Sequence, residues 1–379
     1  MRKYSLLFLL FIFIAACQKE AVKPTEATVN ESQFLSLETE ADLEKFEAFL
    51  ENNEIANSRG NQFGKKIILE GETHNALQKA INDAGRFGLV VLKGTHHEET
   101  TVKIEYPVYI LGQNGAKIIS AVKVQEETTD GILRAAIHVN GVRRVTIWGV
   151  DFQTKTDVGG IAVLIEDSPR TVLSKNKMTN YQIGVAVEQG DDAIIWKNEI
   201  ATTTKGLTGE VFEVYGILVV NGDRVRILKN KITNAFFGMW MCDKGGVSMH
   251  NETYGNFIGQ LLCNYVPDVF FLESGATGSE EAANKWILRD NYSHDNFDAG
   301  YLVIDDANNN ILIDNQGGNN ATYDIELATD SYRFGFLTPK SFENKVNAGK
   351  YPNVTIKDCG ENNVVRGGVR INIGLDPCL

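Results

Sequence analysis

Gly184-Val185-Ala186-Val187, Gly216-Ile217-Leu218-Val219 and Gly238-Met239-Trp240-Met241 are copies of one unit, a glycine leading a short alternating apolar strand. Gly160-Ile161-Ala162-Val163 precedes them, and Gly259-Gln260-Leu261-Leu262 and Gly300-Tyr301-Leu302-Val303 follow. Between the copies an apolar strand ends repeatedly in asparagine, at Asn176, Asn198, Asn230, Asn251, Asn291 and Asn315, with spacings of 22, 32, 21, 40 and 24 residues. The spacings reduce to one coil of about 22 residues, with an insertion in one coil and a doubled interval in another. Three short strands per coil with no helix between them fit parallel strands stacked about 4.8 Å apart along an axis. Stacking gives the asparagines a purpose: at the bend between two strands each can take a left-handed conformation while its amide bonds the asparagine of the next coil. A propeller would need blades of about 40 residues and antiparallel turns, which the pattern lacks.

With this repeat, residues 66 to 375 resemble the right-handed parallel β-helix family that includes pectate lyases, polygalacturonases, alginate epimerases and NosD-like repeat proteins. The resemblance implies an all-β solenoid with an N-terminal capping helix. Thr73 to Ala84 reads as that helix, with Thr73 as its cap. Leu89-Val90-Val91-Leu92-Lys93-Gly94-Thr95 and Tyr109-Ile110-Leu111-Gly112 read as the first coils, and Val354-Thr355-Ile356-Lys357 as a last one before a C-terminal cap. In that family the glycine-led strand belongs to the first sheet, along which substrates lie.

Upstream, Arg2-Lys3 and the apolar run Leu6 to Ala16 end at Cys17. The run is too short to span a bilayer and reads as a signal peptide. Ile14-Ala15-Ala16-Cys17 looks like a bacterial lipobox, so residues 1–17 are expected to be the signal with Cys17 lipidated, an anchor that needs no spanning helix. Residues 18–65 read as a polar tether carrying a short helix over Ala41 to Leu50, with Leu43, Phe46, Phe49 and Leu50 on one side. Residues 66–379 are the β-helix with its cap. Gln18-Lys19-Glu20 resembles the surface-export signal of Bacteroidetes lipoproteins, so the expected location is the outer membrane or cell surface, with the inner membrane as the other choice. The formal charge of −12 makes nucleic acid and anionic lipid poor partners. Cys242, Cys263, Cys359 and Cys378 remain; 242 and 263 are expected side by side on neighbouring coils, and 359 with 378 as a terminal staple.

If Ile217 and Val219 face inward, the outward row of the first sheet includes Ala162, Leu164, Ala186, Glu188, Leu218, Val220, Trp240, Cys242, Leu261, Cys263, Leu302 and Ile304, which is mostly apolar. Proton abstraction beside a sugar carboxylate needs a base and cations there; the apolar row suggests instead a cover, a partner, or sugar stacking on Trp240. Asp305-Asp306 and Asp191-Asp192 resemble the aspartate pair of polygalacturonases, without the accompanying Gly-His-Gly or Arg-Ile-Lys. His294-Asp295 resembles part of the Asp-Pro-His-Asp element of alginate epimerases, with Tyr292-Ser293 in place of its first half. The catalytic candidates are thus His294, Asp295, Asp305 and Asp306. The turn acids, Asp191 and Asp192 foremost, could hold Ca²⁺, the only cofactor the sequence suggests; a solvated acidic edge is the alternative. Lys175, Lys197 and Lys229 stand in one row before the asparagines, solvated or facing an anionic glycan. Insertions at Thr202 to Phe212 and Ser274 to Ala283 are long enough to wall a groove.

The expected function is a membrane-anchored surface lipoprotein that binds or processes polysaccharide along its first sheet; as an enzyme it would be a lyase, an epimerase or a glycoside hydrolase. The competing reading is a non-catalytic adhesion, scaffold or accessory protein that uses the β-helix to meet another protein.

Overall fold

Each glycine-led strand lies directly above the one before it. Tyr181–Glu188 pairs in parallel with Gly159–Glu166 below and Tyr215–Val220 above, with Val185 opposite both Val163 and Ile217. The computed structural model describes residues 64–121, 135–155, 159–203, 214–242, 244–264, 283–333 and 336–371, together with Ala41, Glu44, Lys45 and Ala48, which are helical and exposed. The chain divides into two units, Met1–Phe63 and Gly64–Leu379. Among the described residues of the second unit, the first sheet has 11 strands, from Val102–Ile104 to Val369–Arg370. The second and third strands of the coils form a joint sheet of 19, because the early coils run through the bend as the long strands Gly88–Glu98 and Val108–Ser120. Later coils break at that bend, as in Val172–Ser174 and Lys177–Thr179. The architecture is a right-handed parallel β-helix, with a two-stranded antiparallel hairpin, Ser331–Arg333 and Phe336–Thr338, near its end. No helix among the described residues is long and apolar enough to cross a membrane.

The interval of 40 residues between Asn251 and Asn291 is one coil, not two. Ile258–Leu262 pairs directly with Tyr301–Val303, and Gly246–Met249 with Ile287–Arg289. The extra length is an insertion, and residues 265–282 lie outside the described residues. Most of the other insertion, residues 204–213, also lies outside them.

The six asparagines form one continuous ladder. Asn176 donates from Nδ2 to Asn198 Oδ1 at 3.1 Å, Asn198 to Asn230 at 3.0 Å, Asn230 to Asn251 at 3.0 Å, Asn251 to Asn291 at 3.0 Å and Asn291 to Asn315 at 3.0 Å. From Asn198 onward each Oδ1 also accepts the backbone N–H of the asparagine before it, as Asn230 Oδ1 does from Asn198 at 2.9 Å, and Asn176 Oδ1 accepts that of Val150 at 3.0 Å. The left-handed residue is not the asparagine but the one preceding it: Lys175, Lys197, Lys229, His250, Asp290 and Asp314 have φ between 50° and 56°. The bend residue absorbs the reversal, so the asparagine side chain turns into the interior, where its amide has no water to bond. Two further ladders appear at the other corners, Asn256 to Asn296 to Asn320 and Asn310 to Asn344 to Asn363.

The leading glycines are required by space. A Cβ on Gly216 would collide with Ile232 Cγ2, and one on Gly259 with Ser293 Oγ, both on strands packed across the lumen. Beyond the glycine the strand alternates, with Val163, Val185, Ile217, Met239 and Val303 in the lumen. Ala162 is not outward as expected but packs in the lumen, because it stands at the register of Gly184, where a side chain points across to Ile200.

The capping helix is α1, Leu77–Ala84, shorter than the pattern suggests, and it buries Leu77, Ala80, Ile81 and Ala84 against the first coils. Thr73 is not its cap. Lys66–His74 is a strand that runs through that position, and Thr73 Oγ1 bonds His96 Nδ1 at 2.8 Å. The start of α1 is instead held by Glu98, buried at the end of the second strand, whose Oε1 accepts the Leu77 N–H at 3.0 Å. A carboxylate at a helix N-terminus is well placed against the macrodipole. Burial nevertheless lifts Glu98 above the usual carboxylate range, with the Leu77 and Ala76 N–H groups pulling the other way.

Replacing Asn230 by Leu should lower stability by roughly 3 kcal/mol, because it orphans the buried amide of Asn198 and the Ile195 carbonyl; an unchanged melting temperature would contradict the role of the ladder. Because the folded pKa of Glu98 is raised, its contribution is fully present below the unfolded carboxylate value of about 4.3 and is lost as pH rises through the folded value. Glu98→Gln keeps an acceptor for Leu77 and should flatten the stability profile above about pH 4 in denaturant titrations. Glu98→Leu leaves helix N–H groups unpaired and should cost about 1–3 kcal/mol at every pH.

Candidate functional site

The outward row of the first sheet is buried. Leu164, Ala186, Leu218, Trp240, Leu261 and Leu302 belong to a second apolar cluster on the opposite side of the sheet from the lumen. Trp240 is only 2% exposed, with its ring edge-on to Tyr215 at 5.4 Å and to Phe237 at 4.5 Å. It is therefore a packing residue and not the sugar-stacking platform expected of it. Cys242 and Cys263, in the same cluster, form a disulfide between neighbouring coils with their Cα atoms 4.6 Å apart. Cys359 is also disulfide-bonded; Cys378, its expected partner, and Cys17 lie outside the described residues. The row turns polar only towards its ends. His138 Nε2 lies 2.6 Å from Glu166 Oε2, both buried, with Glu188 opposite Glu166 on the next strand; at the far end Lys357 bonds Glu326 at 3.3 Å.

The four catalytic candidates are not brought together. His294 and Asp295 lie before the strand Tyr301–Val303 and Asp305 and Asp306 after it, at two different corners of the coil. Asp305 and Asp306 both have left-handed backbones, and Asp305 Oδ2 accepts the Asn264 N–H at 3.1 Å, so its carboxylate fastens the turn. Asp191 and Asp192 do not offer the open oxygen set that Ca²⁺ needs. Asp191 Oδ1 accepts the Asp223 N–H at 3.0 Å, and Asp192 takes two bonds from Arg224, at 2.8 and 3.1 Å. The Arg224 guanidinium holds Asp192 below the usual carboxylate range, with Arg170 helping from 3.9 Å. Arg170 and Arg224 stand one coil from Asp192 in space but 22 and 32 residues from it in sequence, so their pairing with it is not legible in the acidic run alone.

The row of Lys175, Lys197 and Lys229 is half-buried, and two of its members sit over indole rings: Lys175 Nζ is 5.5 Å from the Trp148 ring and Lys197 Nζ 4.6 Å from that of Trp196. Contact with a π face offsets part of the desolvation of an ammonium group. The row then changes sign through His250 to Asp290 and Asp314, and Lys350 bonds Asp290 at 2.7 Å.

The third strands carry a different pattern, legible in the sequence only once the register is known. Asp151, Lys177, Glu199, Lys231 and Glu252 stand opposite one another on successive coils, alternating in sign, and Tyr292 follows. Opposite charges on adjacent strands attract, so this face is mutually neutralised. At its aromatic end His294 is held on both ring nitrogens, Nδ1 at 2.6 Å from Asp295 Oδ2 and Nε2 at 3.3 Å from Glu252 Oε1, while Lys231 Nζ is 3.0 Å from the other oxygen of Glu252. The His294 ring stacks on Tyr292 at 4.0 Å and on Tyr254 at 5.4 Å. Burial raises Glu252, but bonds from Lys231 and His294 outweigh it and leave the carboxyl below its usual range; Asp295 is lowered by its bond from His294 and a second from Asn319. The adjoining corner carries a row of phenylalanines. Phe236 and Phe257 stack at 4.4 Å, and the Phe297 N–H reaches Asn256 O at 2.8 Å, which sets Phe297 one rung further on. Phe236 is buried, Phe257 half-buried and Phe297 71% exposed. With both nitrogens of His294 occupied, the part-exposed Tyr254 and Tyr292 and the Glu252 and Asp295 carboxylates are the groups that can hydrogen-bond sugar hydroxyls, and the open ring of Phe297 can stack on a sugar face.

Residues 106–265 match the family described as the right handed beta helix region. Among solved structures, the Dettilon tailspike protein aligns over 78% of this chain and 64% of its own, at 15% identity and a TM-score of 0.50. An alginate lyase from Paenibacillus sp. str. FPU-7 aligns over 81% of this chain and 98% of its own, at 15% identity and a TM-score of 0.45. The Streptococcus pneumoniae surface protein and adhesin PfbA aligns over 79% and 93%, at 12% identity and a TM-score of 0.39. The chain thus spans less than two thirds of the tailspike, and at these identities the likeness is one of fold. No curated protein matches the chain. With its strands stacked in register from Lys66 to Arg370, the chain is a right-handed parallel β-helix protein, and its residues 106–265 carry the sequence pattern of that family.

Proposed function

We propose that the protein is a lipid-anchored β-helix protein that binds polysaccharide on the third-strand face and adjoining corner around Glu252, Tyr254, Tyr292, His294 and Phe297. The observation that carries this reading is the open ring of Phe297, at 71% exposure, on the bend that His294 and Asp295 begin. Rows of side chains repeating every coil, about 4.8 Å apart, suit a polymer of similar units lying along the axis. The contact surface moves from the first sheet, whose central outward row is buried, to this corner. Because the charges here are already paired, stacking and hydroxyl hydrogen bonds supply the affinity, and binding should depend little on salt. The anchor rests on the lipobox ending at Cys17, and the disulfide between Cys242 and Cys263 supports an exported protein.

The test uses the full chain and its Cys17→Ser variant. The parent should fractionate with membranes and the variant with the soluble fraction; a variant that stays with lipid overturns the anchor. The soluble variant is then titrated against alginate, pectin, glycosaminoglycans and a neutral glucan. At least one should bind, and Phe297→Ala or Tyr254→Ala should weaken it about three- to tenfold, the worth of one stacking contact. Trp240→Phe should leave the affinity unchanged. Absence of binding to all four, or an affinity that follows Trp240 and ignores Phe297, overturns the glycan reading.

A further inference from the structure

Glu72 and His74 stand two residues apart on the strand Lys66–His74 and so project from the same face; His97, on the neighbouring strand Gly88–Glu98, lies directly opposite His74. His97 Nε2 is 3.1 Å from Glu72 Oε1, and His74 Nε2 is 4.0 Å from the same oxygen. The two imidazole rings stack with centroids 4.8 Å apart, and one ligand atom from each of the three residues lies within 4.8 Å of the others. Among the described residues no other group of three brings histidine, cysteine or carboxylate ligand atoms so close together. The neighbouring His96 takes no part: it is fully buried and bonds Thr73.

We infer that Glu72, His74 and His97 form a binding site for a divalent transition-metal ion of the zinc class, on the first coil of the β-helix. Two imidazoles and one carboxylate are a borderline nitrogen and oxygen set, which suits Zn²⁺ and its neighbours and ill suits Ca²⁺ or Mg²⁺. Bonds of about 2.0–2.2 Å place tetrahedral ligand atoms about 3.3 Å apart. Glu72 and His97 are already at that spacing, and His74 has less than 1 Å to close towards Glu72. Its side chain is 65% exposed and that of Glu72 69%, so the adjustment gives up only the stack of His74 on His97, whose ring, at 15%, is the fixed member. Three protein ligands leave the fourth position to water. Among the described residues Lys66–His74 pairs with no strand but Gly88–Glu98, so the ion would pin the terminal strand to the body of the solenoid. The site is remote in sequence from the glycan surface and independent of that reading.

The test is calorimetric titration of the full chain, stripped with a chelator, with zinc chloride, and separately with calcium and magnesium chloride. The expected result is one zinc ion per chain, a raised melting temperature, and no response to calcium or magnesium at the same concentration. His74→Ala, His97→Ala and Glu72→Ala should each weaken zinc binding about tenfold or more, while His250→Ala, an exposed histidine elsewhere, should not. His74→Ala removes a largely exposed side chain and keeps the assay interpretable if His97→Ala perturbs folding. Cobalt substitution supplies a second readout, visible absorption bands of a four-coordinate site that vanish in His74→Ala. Zinc binding that is absent, or that survives all three substitutions, overturns the site.

Discussion

The hydrogen bond on which this solenoid depends joins each asparagine at the bend between second and third strands to the asparagine one coil away. Parallel strands satisfy their own backbones, but a chain that turns every few residues leaves N–H and C=O groups facing the interior at each corner. The amides of Asn176, Asn198, Asn230, Asn251, Asn291 and Asn315 take up those groups and one another in a single run. Once that run is continuous, the coil register is set for the neighbouring strands, and with it the identity of every inward and outward side chain. The 40-residue interval shows the strength of this constraint: Asn251 and Asn291 remain bonded neighbours across the insertion.

Register in turn decides where the surface can do chemistry. On the first sheet it aligns Leu218, Trp240, Leu261 and Leu302 into an apolar row that is buried, and it leaves the buried His138–Glu166 pair towards one end. On the third strands the same stacking alternates acids and lysines until Glu252 meets His294 beside two tyrosines. Charge is neutralised along that face, and its aromatic end is what stays open. On the first coil, stacking sets His74 opposite His97 with Glu72 beside them, where nothing in the repeat itself calls for histidine.

Acidic residues in this protein serve local fastening more than any shared site. Asp192 is held by Arg224, Asp305 closes a turn on the Asn264 N–H, and Glu98 seats the first helix. Asp192 and Asp305 look, in the sequence, like members of carboxylate pairs. Each of the three has a partner at a sequence distance of 21 to 41 residues, which is one coil of this fold.

The sequence alone determined the coil. The glycine-led strands, the spaced asparagines and the alternation of Ile217 and Val219 with Leu218 and Val220 follow from a two-residue side-chain period and a repeating bend, both local properties of the chain. Which residue of the bend carries the left-handed backbone, Lys229 rather than Asn230, was not legible, because it depends on where the asparagine amide must point in the interior. Nor was the loss of Thr73 as a cap, since the competing partner, His96, comes from the next strand. His294 and Asp295 were legible as a candidate pair, but the contact of His294 with Glu252, 42 residues away, and the separation of the pair from Asp305 and Asp306 were decided by tertiary structure. Solenoid contacts join residues one coil apart, and an insertion of unpredictable length in any coil hides from the sequence which residues those are.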